Sequence, residues 1–209
     1  NWDNGVRPGS ESRGTASAVP TWDFVKEFPM KDGKLYTDPT GKYKKSDEEF
    51  LQSYWENRDP RFDKSIVWNG KIYEVSGKTG KRQYTSLGIA DALDNFGENP
   101  KAGTTSSNRD RYTGFFILKN SKLSLRQTQA ETQYDVDFVL MRYAEVLLNV
   151  AEAEAETGGL VRAQSLLEAV RHRSDASYKF ATLDKAGLID AILLERRIEL
   201  LAEGFRAND

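Results

Sequence analysis

Three glutamates are the residues of this sequence whose spacing is best suited to catalysis. Glu195, Glu199 and Glu203 follow one another at intervals of four, so on a helix they share one face. Two carboxyl groups are sufficient for glycoside hydrolysis. Arg196 and Arg206, however, each lie three residues from one of these glutamates. Because a neighbouring arginine lowers the pKa of a carboxyl group, whereas a catalytic acid needs a raised one, the pattern favours a structural network of ion pairs.

The other candidates for chemistry are few. The single histidine, His172, lies between two arginines at the end of a predicted helix, where a cation complements the helix dipole. Gly77-Lys78-Thr79 matches the end of a phosphate-binding loop, but Ile72 occupies the position of that motif's first glycine. Cysteine is absent. We therefore expect a protein that is not an enzyme, with no metal site and no cofactor.

The composition is that of a globular protein and argues against two kinds of partner. The 209 residues carry a formal net charge of -2, with 38% hydrophobic and 30% charged residues. A nucleic-acid-binding protein needs a concentrated basic field, whereas lysines and arginines are scattered among acids here. The sequence contains no run of about 18 apolar residues, which is the length needed to span a bilayer. The chain opens on Asn1 without an export signal, so we expect the C-terminal part of a longer protein, in which any export signal or lipid-bearing cysteine lies upstream.

Aromatic side chains are the best candidates for a ligand surface. Tryptophan and tyrosine combine a flat apolar face with a polar group, which suits the C–H face and the hydroxyl fringe of a sugar ring. The loop-rich half of the chain contains Trp2, Trp55, Trp68, Tyr73, Tyr84 and Tyr112. Most such residues fill cores. The predicted glycan-binding residues are Trp2, Trp68, Tyr73 and Tyr84.

Short elements are predicted to position these aromatic residues within a loop-rich half, residues 1–126. Its first 19 residues are rich in Gly, Ser, Arg and Asn, which predicts an irregular loop that carries Trp2. Asn69-Gly70 predicts a β-hairpin over residues 66–73 with a type I′ turn, so that one of Trp68 and Tyr73 projects while the other packs inward.

Other local signals place further elements in this half. Thr21 is suited to cap a short helix that ends before Pro29. Ser46 and Glu49 have the spacing of a capping box and begin a helix that ends before Pro60. Residues 115–118 are apolar and predict a short buried strand.

Helices dominate the second part, residues 127–209. Apolar residues recur at helical spacing, which predicts three helices between Asp137 and Glu203, with the last beginning at Thr182. Leu140 and Tyr143 fall on the apolar face of the first helix and Glu145 on its polar face. Gly158-Gly159 ends that helix, and the next one returns beside it as an antiparallel pair.

This helical pair is similar to one tetratricopeptide unit. Its predicted seam consists of Leu147, Ala151, Leu167 and Val170. One such unit cannot bury its own face, so neighbours must come from elsewhere in the fold. We therefore predict a mostly α fold with tetratricopeptide-like helical hairpins, long irregular loops and a small β-hairpin.

The order and spacing of several segments strongly resemble the SusD/RagB family. The matching segments in the last third are residues 142–153, residues 163–173 and residues 195–206. Weaker similarity occurs upstream, in residues 20–25, residues 58–62 and residues 113–116. The resemblance implies that residues 1–209 are the C-terminal part of one SusD-like, tetratricopeptide-containing domain.

The resemblance also implies a function. Members of this family are lipid-anchored proteins exposed on the surface of the outer membrane. They bind poly- or oligosaccharides without catalysis and deliver them to a SusC-like TonB-dependent transporter. The matched motifs are structural, and the family's sugar contacts come from variable loops, so no ligand residue transfers by motif.

Two alternatives remain open. A helical-repeat scaffold that binds only protein would have several tetratricopeptide copies and few exposed tryptophans. A glycoside hydrolase would have two carboxylates in an aromatic cleft, free of arginine partners.

Overall fold

The computed structural model describes residues 2–8, 18–43, 46–74, 79–85, 113–125, 135–137 and 139–204. Within these ranges the protein is mostly helical, with seven helices and four strands of two residues each. The chain forms two compact units. The strand unit comprises Asn1–Val25 and Asp63–Asp137, and the helical unit comprises Lys26–Phe62 and Phe138–Asp209. The two units do not coincide with the two sequence halves, because Lys26–Phe62 packs with the C-terminal helices.

Three helices form the apolar core of the helical unit, as predicted. They are α5 (Tyr143–Thr157), α6 (Leu160–His172) and α7 (Lys185–Glu199). Helix α5 ends at Gly158, whose φ of 92° is the left-handed conformation that a glycine cap adopts readily. Helix α7 begins after Asp184, whose carboxylate accepts from the Gly187 N–H at 2.8 Å, rather than at the predicted Thr182.

The predicted seam between α5 and α6 is confirmed. Ala151, Leu167 and Val170 are buried in one apolar cluster, and Leu147 packs against it. The full set of buried residues in this cluster is Leu148, Ala151, Ala155, Ala163, Leu167, Val170, Leu188 and Ile192.

The predicted apolar face of α5 is wrong at its start. Leu140 and Tyr143 are 81% and 75% exposed, whereas Glu145 is only 8% exposed. The helix begins at Tyr143, so Leu140 precedes it. The buried positions then start at Glu145 and continue through Leu148 at one-turn spacing.

Shorter helices follow the capping signals of the sequence. Helix α2 (Trp22–Glu27) begins beside Thr21, whose hydroxyl accepts from the Phe24 N–H at 3.2 Å. Helix α3 (Asp47–Ser53) has the complete capping box of Ser46 and Glu49. It ends at Ser53, and a separate helix, α4 (Pro60–Ser65), starts at the proline, which is well suited to a first helical position.

A turn in the helical unit depends on a glycine. Gly33 has a φ of 79°, and a Cβ at this position would lie 1.9 Å from the Tyr178 hydroxyl. The ring of Tyr178 therefore packs directly on this turn, and the Arg171 guanidinium lies 4.6 Å from its centroid.

The four strands of the strand unit form two antiparallel pairs. Strand β1 (Ile66–Val67) pairs with β4 (Phe116–Ile117), opposing Ile66 with Ile117. Strand β2 (Lys71–Ile72) pairs with β3 (Arg82–Gln83), opposing Lys71 with Gln83. Strand β4 confirms the short buried strand that residues 115–118 predict.

The predicted hairpin between β1 and β2 is therefore wrong, and the small hairpin is β2–β3 instead. Gly70 has a φ of 89°, but Asn69 is not among the residues with positive φ. A type I′ turn requires positive φ at both positions, so this turn does not return the chain along β1. It instead carries the chain from one strand pair to the other.

The predicted loop over residues 1–19 is also wrong at its start, because helix α1 (Trp2–Val6) begins the described chain. Asp3 and Arg7 form an ion pair of 2.7 Å with both side chains fully buried. The local composition did not indicate this helix, since its position is fixed by contacts with distant residues, such as the hydrogen bonds from Trp2 to Lys119 and from Arg7 to Leu125, rather than by helix propensity.

Candidate functional site

The glutamates with catalytic spacing lie in a buried ionic cluster of the helical unit. Arg61 is at its centre and binds Glu195 through two parallel hydrogen bonds of 2.5 and 3.0 Å. The same guanidinium donates to Glu199 at 3.2 Å and to Asp59 at 2.9 Å. Such paired contacts between a planar guanidinium and a carboxylate are among the strongest charged hydrogen bonds in proteins.

Further arginines complete the cluster. Arg142 donates to Glu199 at 2.9 Å and to Glu203 at 2.8 Å. Arg173 contacts both carboxylate oxygens of Glu199, at 2.7 and 2.8 Å. Arg171 donates to Asp59.

The structural role predicted for the glutamates is thus supported. Arg196 donates to the side chain of Asn149, and Arg206 lies outside the described residues. Arg61 of α4 and the residues Arg142 and Arg173, which flank α5 and α6, bind Glu195 and Glu199 from other parts of the chain, which the local sequence spacing could not reveal.

The electrostatics of this cluster oppose acid catalysis. Burial raises the pKa of Glu199, but hydrogen bonds from Arg142 and Arg173 outweigh that effect and hold the pKa below its ordinary value. Burial likewise raises the pKa of Asp59, and the hydrogen bond and charge of Arg61 reverse the shift. Both carboxylates therefore stay ionised, whereas a general acid must hold a proton near neutral pH.

The remaining candidates for chemistry are the histidine, the segment that resembles a phosphate-binding loop, and a metal site. His172 is the last residue of α6, and its Nε2 lies 2.6 Å from the carbonyl oxygen of Tyr178. Gly77 and Lys78 lie outside the described residues. In the described part of the chain, no three acidic or histidine side chains come together in a way that could hold a metal ion.

Two of the four predicted ligand residues lie on neighbouring segments of the strand unit. Trp68 and Tyr84 are both half-buried; Trp68 directly follows β1, and Tyr84 directly follows β3. The turn at Asn69 is fastened to the second segment, since the Asn69 side chain accepts from the Thr85 N–H at 2.9 Å. The Gly70 N–H donates to the Gln83 carbonyl at 2.7 Å. The fold therefore brings Trp68 and Tyr84 to one end of the β2–β3 hairpin.

The other two predicted ligand residues have different surroundings. Tyr73 is 1% exposed and packs with Val67 and Phe116 in the core of the strand unit. It offers a ligand little surface. Trp2 is half-buried, and its indole N–H donates to the Lys119 carbonyl at 3.3 Å. Sequence reasoning anticipated that Trp68 and Tyr73 would differ in this way, with one facing inward.

A cleft in the strand unit was not predicted. Its volume is about 600 Å³, within the range of small-ligand pockets. Its lining residues are Asp63, Lys64, Lys71, Ile72, Tyr73, Glu74, Leu118, Lys119, Asn120 and Leu123. These positions lie on three separate segments, so no local motif could have grouped them.

Solved structures of similar fold support the architecture. A SusD-like protein from Bacteroides fragilis superposes with a TM-score of 0.66 at 23% identity, covering 93% of this chain and 36% of that protein. A SusD superfamily protein from Bacteroides vulgatus gives a TM-score of 0.60 at 20% identity, covering 97% and 35%. The chain therefore has the helical SusD-like fold and spans about a third of the length of these structures.

Comparison with sequences of known families identifies the family to which this chain belongs. The model of the SusD family matches residues 2–209. The SusD-like protein P38 of Formosa agariphila is 39% identical over 80 residues, which is 34% of this chain and 16% of that protein. This chain belongs to the SusD family. None of the helices in the described ranges has the length and apolarity needed to cross a membrane.

Proposed function

We propose that this chain is part of a non-catalytic protein that binds poly- or oligosaccharides in nutrient uptake. The observation that carries the proposal is the family match over residues 2–209. We further propose that the intact protein is held at the outer surface of the outer membrane by an N-terminal lipid anchor. There it would deliver its ligand to a SusC-like TonB-dependent transporter.

The distribution of side chains supports binding rather than catalysis. The carboxylates with hydrolase-like spacing are bound by arginines, and hydrogen bonds from two of these arginines hold the pKa of Glu199 below its ordinary value. Trp68 and Tyr84 are only partly buried in the strand unit. We assign the first sugar contacts to these two residues and to Trp2, and a supporting, packed role to Tyr73.

Isothermal titration of the intact protein against a panel of polysaccharides tests this proposal. One polysaccharide should bind without the appearance of shorter products. Truncation of a well-placed aromatic contact costs about 2 kcal/mol, so Trp68→Ala should weaken binding roughly thirtyfold.

Trp55→Ala is the matched control, because Trp55 is a partly exposed tryptophan of the helical unit. It should bind like the parent. Cleavage products would refute the non-catalytic role. Unchanged binding by Trp2→Ala, Trp68→Ala and Tyr84→Ala together would show that these aromatic residues are not the contacts.

A protein-binding scaffold is the second candidate, and one observation favours it. Leu140, Met141 and Tyr143 are close together in the sequence and exposed on the helical unit. Exposed apolar residues grouped in this way are typical of protein interfaces. The scaffold hypothesis predicts that no polysaccharide in the panel binds, so the same titration separates the two functions.

A further inference from the structure

The cleft of the strand unit has three walls. Asp63 and Lys64 come from the last turns of α4, and Lys71 and Ile72 form β2. The third wall is the loop from Leu118 to Leu123. A cleft of this size can enclose one or two sugar rings.

Strand β2 presents the opposite of the usual burial pattern to this cleft. Lys71 is 5% exposed, whereas the adjacent Ile72 is 49% exposed. The Lys71 ammonium donates to both the carbonyl and the carboxylate of Asp63, which makes its burial possible. Burying a lysine and exposing an isoleucine both oppose stability. Positions that break the local rule in this way are candidates for function.

Positive charge predominates around the cleft. Its lining contains three lysines and two carboxylates, and the Asp63 carboxylate already binds Lys71. Lys64 forms no ion pair within the part of the chain that the structure describes. Burial lowers the pKa of Lys71, the hydrogen bond and charge of Asp63 partly offset that effect, and the charge of Lys64 adds a smaller lowering. The two ammonium groups therefore repel each other, and an anion beside them would relieve that repulsion.

The loop wall is fixed before any ligand arrives. The Arg7 guanidinium donates to the Leu125 carbonyl at 2.9 Å and to the Lys122 carbonyl at 2.5 Å. The carboxylate of Asp3 accepts from the Lys122 N–H at 3.3 Å, and the Trp2 indole donates to Lys119. Helix α1 and the following Arg7 thus make three hydrogen bonds to this loop and a fourth to Leu125 just beyond it, so binding needs little ordering of this wall.

We propose that this cleft is a subsite for an acidic sugar, with Lys64 and Lys119 binding its carboxylate or sulfate and Ile72 contacting its ring. Leu118 and Leu123 extend the apolar surface, and Asn120 provides an amide for hydroxyl groups. A free inorganic anion would bind only to the lysines and would leave this apolar surface in contact with water. The inference rests on the proposed glycan-binding function and specifies its ligand class.

Titration of the intact protein with matched pairs of saccharides tests the subsite. The acidic ligands are trigalacturonate and a sulfated carrageenan oligosaccharide, and their neutral counterparts are the methyl ester and the desulfated oligosaccharide. One charged contact is worth about 1.5 kcal/mol, so at least one acidic ligand should bind about tenfold more tightly than its counterpart. Added salt should reduce the preference.

Substitutions of the cleft residues test whether the preference for acidic saccharides arises in this cleft. The double variant Lys64→Gln/Lys119→Gln should lose the preference for the acidic ligand, and the Ile72 methyl resonances should shift on binding in the parent protein. Lys179→Gln, an exposed lysine of the helical unit, should retain the preference.

Three outcomes would overturn the subsite. One is equal binding of each acidic ligand and its neutral counterpart, with the general glycan-binding function intact. Another is a preference that survives in the double variant. A third is sodium sulfate or acetate binding as tightly as the oligosaccharides, which would indicate an anion site without sugar recognition. Absence of binding by every saccharide would refute the glycan-binding function as well.

Discussion

The ionic cluster of the helical unit and the cleft of the strand unit use charged residues in opposite ways. In the helical unit, Asp59, Glu195 and Glu199 are buried and each is bound by at least one arginine. In the strand unit, charged side chains surround an open cleft, and an exposed isoleucine lies among them.

This difference distinguishes charged residues that hold the fold together from charged residues that are available to bind a ligand. A buried carboxylate that is fully bound by guanidinium groups has no capacity left for a ligand, although it fixes the geometry of the helices. The ammonium group of a lysine at the rim of a cleft is hydrated, and a ligand can replace the bound water molecules. The carboxylates that resemble catalytic residues in the sequence therefore belong to the scaffold, and the less conspicuous lysines are better placed for binding.

The largest effect is expected when the ionic cluster loses its central cation. Arg61→Ala leaves Asp59 and Glu195 buried with reduced compensation. Breaking a buried ion pair by removing one partner costs about 3–5 kcal/mol. Chemical denaturation of the intact protein should show a loss of this size in the free energy of unfolding.

Arg162→Ala is the matched control for this prediction. Arg162 forms an ion pair of 2.7 Å with Glu154, but its side chain is 69% exposed. Exposed pairs contribute about 0–1 kcal/mol, so this variant should unfold almost like the parent. Similar losses for both variants would contradict the distinction between buried and exposed charge in this protein.

Acid should weaken the same cluster, to a smaller extent than Arg61→Ala, because a protonated carboxyl group still accepts hydrogen bonds. The pKa values of Asp59 and Glu199 are below their ordinary values of 3.8 and 4.5. Their stabilisation is present above the ordinary values and is lost as the pH falls through the lowered values. Denaturation midpoints should therefore fall across this acidic range in the parent protein. A flat profile would contradict the prediction.

The sequence predicted well those elements that depend on local chemistry. Helices α5 and α6, the capping box of Ser46 and the seam at Ala151 follow from spacing within one or two turns. The register of the strands did not follow, because β1 pairs with residues about 50 positions away rather than across the Asn69-Gly70 turn.

The candidate site was harder to predict for the same reason. Aromatic residues could be selected by type, but the packing that buries Tyr73 and leaves Trp68 half-exposed is tertiary. Lys64, Lys71 and Lys119 have no shared motif, and only the fold places them around one cleft. Likewise, the spacing of Glu199 with Arg196 indicated an ionic role, while its partners Arg142 and Arg173 come from elsewhere in the chain.

The smallest effect on stability is expected in the strand unit, at Ile72. An alternating strand pattern predicts that Ile72 is buried, yet half of its surface is exposed to the cleft. Ile72→Thr should therefore change the free energy of unfolding by no more than about 0.5 kcal/mol, as exposed substitutions usually do. Val67→Thr is the matched comparison, because Val67 is fully buried in β1 and a buried hydroxyl without a partner costs about 1–3 kcal/mol. Urea denaturation of both variants in the intact protein measures the difference. Equal destabilisation would mean that Ile72 is covered in the intact protein, and the cleft would then be closed at the position where a sugar ring is proposed to lie.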